Sequence, residues 1–140
     1  MKNFEFYNPT RIVFGKDTIQ KLGQLIPKNA KVLMCYGGGS IKQNGVYDQV
    51  MEALEDHRVI EFAGIEPNPD YDTLLRAIVL GREEDVDFVL AVGGGSVIDG
   101  AKLVAAAIPY TQGDPWDIVT MDKRVKLGEA LPLGTVLTLP

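Results

Sequence analysis

A chain of 140 residues with 14 Lys and Arg against 19 Asp and Glu has a formal net charge of −5, and its scattered basic residues offer no stripe to a nucleic-acid backbone. No apolar run reaches the length needed to cross a membrane, and a single cysteine, Cys35, excludes an internal disulfide framework. The size suits one domain with one core, and Met1-Lys2-Asn3-Phe4 has no apolar leader, so a cytoplasmic protein is expected.

Phe4, Phe6 and then Ile12-Val13-Phe14 flank the turn Asn8-Pro9-Thr10 and predict two short edge strands. Asp17 is placed to cap a helix whose Ile19, Leu22 and Ile26 share one face, and Pro27 closes it. Lys31 to Tyr36 predicts a fully buried strand that runs into Gly37-Gly38-Gly39-Ser40. Cys35 within it reads as a small buried thiol. Val46, Val50, Met51 and Leu54 mark a helix that ends at Asp56-His57-Arg58. His57, the only histidine, has no converging ligands in sequence and is expected at a solvated helix end.

Val59 to Ala63 predicts another strand, left through Pro67-Asn68-Pro69. Asn68 is the expected cap of a helix striped by Tyr71, Leu74, Leu75 and Ile78, with Pro69 at its first position. The cluster Arg82-Glu83-Glu84-Asp85 reads as solvated surface. Phe88 to Val92, Gly93-Gly94-Gly95-Ser96 and the residues up to Ile108 then read as strand, glycine turn and buried helix. Glycines let a ligand approach bare amides, and a helix N-terminus favours a phosphate. Ser96 with Asp99 also fits a capping box, which leaves three successive glycines unexplained. Asp117-Ile118-Val119 predicts a short strand, Lys123-Arg124 a basic turn, and Thr135 to Leu139 a final buried strand.

Alternating strands and helices from residue 31 onward call for an α/β fold: a Rossmann-like parallel sheet with helices on both faces, plus the short N-terminal edge strands. Both glycine turns follow strand carboxyl ends, so two parts of one extended ligand, such as a dinucleotide, suit them. The spacing is not Gly-x-Gly-x-x-Gly.

Gly-Gly-Gly-Ser-x-x-Asp-x-x-Lys after a buried strand, preceded by Glu66-Pro67-Asn68-Pro69, resembles the iron-containing (group III) alcohol dehydrogenases, which share the dehydroquinate synthase-like fold. The opening Phe-x-x-Asn-Pro-Thr-Arg-Ile-Val-Phe-Gly and the closing Leu-Thr-Leu-Pro extend the likeness along the whole chain. Tyr-Gly-Gly-Gly-Ser is similar to the butanol dehydrogenase and aldehyde reductase branch.

The resemblance implies that residues 1–140 are a dinucleotide-binding domain, the N-terminal part of an oxidoreductase acting on a primary alcohol or aldehyde. By the same likeness Gly93, Gly94, Gly95 and Ser96 hold the pyrophosphate, with Asp99 near the nicotinamide. Asn68 and Thr138 contact the adenosine or its ribose, and Gly37, Gly38, Gly39 and Ser40 face the adenine ribose. No carboxylate stands at that last turn, so NADP is expected rather than NAD, with Ser40 and Lys42 as phosphate donors and Gly39→Asp as the change toward NAD. The family's metal ligands belong to a helical second domain, so iron or zinc is expected only in the full-length protein, a homodimer, and no catalytic or metal residue in this chain. A dehydroquinate synthase-like lyase domain and a non-enzymatic phosphate-binding or nucleotide-binding module are the alternatives.

Overall fold

The computed structural model describes residues 2–120 and 125–138. Its centre is a four-stranded, wholly parallel sheet in the order β2-β1-β3-β4. The strands are β1 (Lys31–Tyr36), β2 (Arg58–Phe62), β3 (Phe88–Gly93) and β4 (Leu133–Leu137). β1 pairs with both β2 and β3, with Met34 opposite Glu61 and Leu90, and β3 pairs with β4 through Ala91 and Thr135. β1 and β3 are continuous apolar runs because helices cover both of their faces.

On one face, a 3₁₀ turn (Thr18–Lys21), α1 (Leu22–Leu25), α2 (Ser40–Gln43) and α3 (Val46–Ala53) close over Val32, Met34, Leu90 and Val92. On the other, α4 (Tyr71–Glu83) and α5 (Gly95–Ala107) close over Leu33, Cys35, Val89 and Ala91. Each fully buried Leu or Val contributes about 1.5–3 kcal/mol relative to exposure. Within α5, a Cβ on Gly100 would lie 2.8 Å from Leu74 Cδ2, so α4 and α5 approach closely across that glycine.

Several expectations need correction. Residues 2–14 form no strand: they find no neighbouring strand to pair with among the described residues, and Phe4, Phe6 and Phe14 are 81, 79 and 97% exposed. Asp17 caps nothing with its side chain. It sits in the left-handed region at φ 57°, and Thr18 Oγ1 instead donates to the Gly15 carbonyl. His57 is partly buried rather than at a freely solvated end: its Nε2 lies 3.0 Å from the Ile26 carbonyl, which ties the segment after α3 to the end of α1. Asn68 has φ 51° and is not the cap of α4. Asp70 is, accepting the Asp72 N–H at 3.1 Å.

Arg82 leaves its charged neighbours and donates to the carbonyls of Ala107, Ile108 and Tyr110, closing the end of α5. Asp117-Ile118-Val119 belongs to a helical turn, α6 (Trp116–Val119), because Asp114 accepts the Trp116 N–H and starts it. β4 begins two residues before the expected Thr135 and is a half-exposed edge strand. Leu139 and the Lys123-Arg124 turn lie outside the described residues.

Candidate functional site: two glycine junctions at the switch point of the sheet

The chain leaves β1 for β2 on one side and returns to β3 on the other, so strand order reverses between β1 and β3. Ligands of open parallel sheets bind at the carboxyl ends flanking such a point. Both glycine turns lie there, one after Tyr36 and one after Val92, residues that are paired across the two strands.

The junction after β3 is built from glycines with different duties. A Cβ on Gly93 would come within 2.8 Å of Val97 Cγ2, so packing demands glycine there. Gly94 has φ −86° and ψ −168°, a conformation any residue adopts, while the positive φ of this turn falls on Gly93, at 157°. Among the described residues, a Cβ on Gly94 would approach nothing closer than the Thr138 carbonyl at 3.6 Å, and one on Gly95 would meet nothing within 4 Å. Neither the backbone nor packing against the described residues requires glycine at these two positions.

The first bond of α5 runs from the Ile98 N–H to the Gly94 carbonyl at 3.1 Å. The amides of Gly95, Ser96 and Val97 therefore precede the helical ladder, and no side chain caps them. The capping box does not form: Ser96 lies inside the helix, and its Oγ accepts the Asn68 N–H at 3.3 Å. Asp99 is exposed one turn along and pairs with Lys102 at 3.6 Å. The Thr138 N–H donates to the Gly93 carbonyl at 2.9 Å. Asn68, Gly93 to Ser96 and Thr138 are thus brought together, with Asp99 facing outward to its lysine.

The Asn68 loop is held by Glu66. Its carboxylate accepts the Asp70 N–H at 3.0 Å and the Thr73 hydroxyl at 3.1 Å, and these bonds hold its pKa below the usual carboxylate value. Beside them, Gly37 is wedged between the loop after β2 and the first turn of α5. A Cβ on Gly37 would lie 3.1 Å from the Ile65 carbonyl and 3.7 Å from Val97 Cγ2. Gly39 takes φ 106° to lead into α2. Gly37, Gly38 and Gly39 line an open pocket of about 330 Å³ with Tyr36, Lys42, Ala63 and Gly64, and Ser40 stands exposed next to it.

Sequence reasoning missed the groups behind this pocket. Glu61, on β2, accepts hydroxyls from Tyr36 and Tyr47, each at 3.0 Å. Burial and then that bond push the Tyr36 pKa up to about 12, and the bond to Glu61 is the leading cause of a raised Tyr47 pKa. A carboxylate therefore stands near the first junction, one strand over, although none stands in the turn itself. A charged residue in the otherwise apolar run Val59-Ile60-Glu61-Phe62 was the available signal. Cys35 is inert, its thiol raised to about 12 by burial. Trp116 packs edge-on against Tyr71 with ring centroids 4.9 Å apart and stays half-exposed. Among the described residues, no group of three or more His, Cys, Asp or Glu is placed to hold a metal ion.

The parallel sheet, with a glycine junction after each of its two central strands, defines a Rossmann-like α/β fold. A sequence model of the iron-containing alcohol dehydrogenases matches residues 9–140, and the chain belongs to that family. It is 55% identical over 142 residues to the NADPH-dependent aldehyde reductase YqhD of Escherichia coli, covering 100% of this chain and 36% of that protein. It is 48% identical to the NADH-dependent butanol dehydrogenase B of Clostridium acetobutylicum, covering 99% and 36%. The substrate- and cofactor-free structure of the E. coli aldehyde reductase matches with a TM-score of 0.91 at 55% identity, over 99% of this chain and 37% of that one. The NADH-dependent butanol dehydrogenase A of Thermotoga maritima matches with a TM-score of 0.91 at 46% identity, over 99% and 35%. The chain therefore spans about a third of the length of these relatives.

Proposed function

We propose that this chain is the cofactor-binding part of a metal-dependent alcohol dehydrogenase or aldehyde reductase, and that it binds NADP(H) across its two glycine junctions. The carrying observation is the bare start of α5, where three amides have no hydrogen-bond partner among the described residues and follow glycines that packing against those residues does not require. A pyrophosphate suits them by charge and by hydrogen bonding. Asn68 and Thr138 flank it, Gly37 to Ser40 face the adenine ribose, and Asp99 lies toward the nicotinamide end.

When bound, the dinucleotide supplies or takes up the hydride exchanged with a small primary alcohol or aldehyde. The residues of this chain bind and orient it. In this reading iron or zinc is held by residues of the full-length protein outside this chain, as the resemblance to the family implies. The whole protein is a cytoplasmic homodimer in this reading, and among the described residues no helix is long and apolar enough to cross a membrane.

The names of the relatives divide between NADPH and NADH, so the choice of NADP rests on this chain's own groups. The turn has no carboxylate of its own, Glu61 is engaged by two hydroxyls, and the pocket presents bare backbone and Lys42. Two charge-assisted bonds to a 2′-phosphate, at about 1.5–3 kcal/mol each, favour NADPH by about one hundredfold or more. Calorimetric titration of the full-length protein with NADPH, NADH and inorganic phosphate tests this. NADPH binding far tighter than NADH is expected, with phosphate weakest. Phosphate binding as tightly as either nucleotide would instead identify a simple anion-binding module.

A further inference from the structure

Behind the pocket at the first junction, four side chains from three elements and the end of β1 form one cluster. The Lys42 ammonium, on α2, lies 4.9 Å from the ring centroid of Tyr47 and 5.7 Å from that of Tyr36. The two rings meet edge to face at 6.0 Å. Their hydroxyls donate to the two different oxygens of Glu61, each at 3.0 Å. Tyr36 is buried, Tyr47 half-buried and Lys42 exposed at the pocket rim.

A surface lysine ordinarily samples many rotamers, and ordering it for a ligand consumes part of the gain. Two aromatic faces hold this one without neutralising it. Among the described residues Lys42 makes no ion pair: the two oxygens of Glu61 accept tyrosine hydroxyls, and Asp99 pairs with Lys102 instead. The result is a pre-placed cation beside a pocket floored by glycine.

We propose that Tyr47, braced by Glu61 and Tyr36, is a positioning residue that sets Lys42 to read a phosphate on the adenine ribose, and so determines cofactor specificity. This rests on the adenine-end reading given above and adds a residue outside the glycine turn to it. Tyr47 acts through Lys42 and does not touch the ligand.

The probes are 2′,5′-ADP and 5′-AMP, which differ by the 2′-phosphate alone, titrated by calorimetry into the full-length protein. The parent is expected to bind 2′,5′-ADP more tightly, and Lys42→Ala to reduce that ratio by about tenfold or more. Tyr47→Leu is expected to reduce it by about three- to fivefold, the worth of an exposed cation–π contact. Its affinity for 5′-AMP should be unchanged, which also reports an intact fold. Tyr47→Phe keeps the ring face and is expected to retain more of the ratio than Tyr47→Leu. A preserved ratio in Tyr47→Leu, with the parent's preference intact, overturns the proposal alone. A parent ratio near one overturns the adenine-end reading itself, and the proposal with it.

Discussion

Gly38 is the position at which the proposed preference for NADP is most directly tested. The sequence points to Gly39→Asp as the change toward NAD, but Gly39 sits at φ 106°, where a non-glycine residue strains the backbone whatever space surrounds it. Gly38 has no positive φ, and a Cβ on it would meet nothing within 4 Å. Gly38→Asp therefore places a carboxylate at the pocket with little folding penalty. Its expected effect is a fall in the ratio of kcat/KM for NADPH over NADH by about tenfold or more in the full-length protein, through repulsion of the 2′-phosphate. An unchanged ratio in a folded variant would mean that the turn faces something other than the 2′-position.

Glu66 offers a pH test of the neighbouring loop. Its folded pKa is depressed below the ordinary 4.5, first by the Asp70 N–H and then by the Thr73 hydroxyl. Its contribution is therefore complete above that ordinary value and is lost as pH falls through the depressed one. Chemical denaturation of the parent and of Glu66→Gln should show a larger gap in midpoint near about pH 6 than near about pH 3. Equal gaps at both values would mean that the carboxylate charge does not hold the Asn68 loop.

Arg82 shows what an element needs beyond its own periodicity. Backbone N–H groups of Ile108, Leu131 and Tyr110 reach the last α5 carbonyls, and Arg82 of α4 adds side-chain bonds to the carbonyls of Ala107 and, just beyond the helix, Ile108 and Tyr110. Arg82→Ala should lower stability by about 2–3 kcal/mol, measured as the shift in denaturant midpoint at constant slope. A shift below about 0.5 kcal/mol would place Arg82 among solvated surface charges after all.

β1 and β3 were legible because strands covered on both faces carry continuous apolar runs, and α4 and α5 because their stripes are long. Shorter elements depended on partners that sequence does not reveal. Phe4, Phe6 and Ile12 to Phe14 have strand composition but no neighbouring strand among the described residues. Ile118 and Val119 favour a strand, yet Asp114 and Pro115 open a helical turn there. Asn68-Pro69-Asp70 offers two caps, and the chain uses the second because Asn68 is turned into the left-handed region to meet Ser96. At the site, the glycine junctions were plain in sequence. The Lys42, Tyr47 and Glu61 cluster was not, because its members are brought together by the β1–β2 pairing.

The molecule as a whole carries two glycine junctions at the switch point of a parallel sheet and, among the described residues, no metal cluster. Residues 1–140 alone should give no alcohol oxidation with added iron or zinc, and metal-dependent turnover by the purified chain would contradict the division of labour proposed here. Exposed Phe4, Phe6, Phe14 and Leu137 also make the isolated chain prone to association.

In the proposed reading, the amides at the start of α5 receive the cofactor's pyrophosphate. Gly94→Val tests it because φ −86° and ψ −168° suit valine, and among the described residues the nearest atom to the new Cβ is 3.6 Å away. Losing glycine from the cap costs about 1 kcal/mol at most. NADPH is titrated into the full-length parent and the variant, with circular dichroism and denaturant midpoints recorded on the same samples. The expected result is a fold that stays intact while NADPH affinity falls by at least about one hundredfold, the loss of two charge-assisted bonds. Unchanged NADPH affinity in the folded variant would contradict the account.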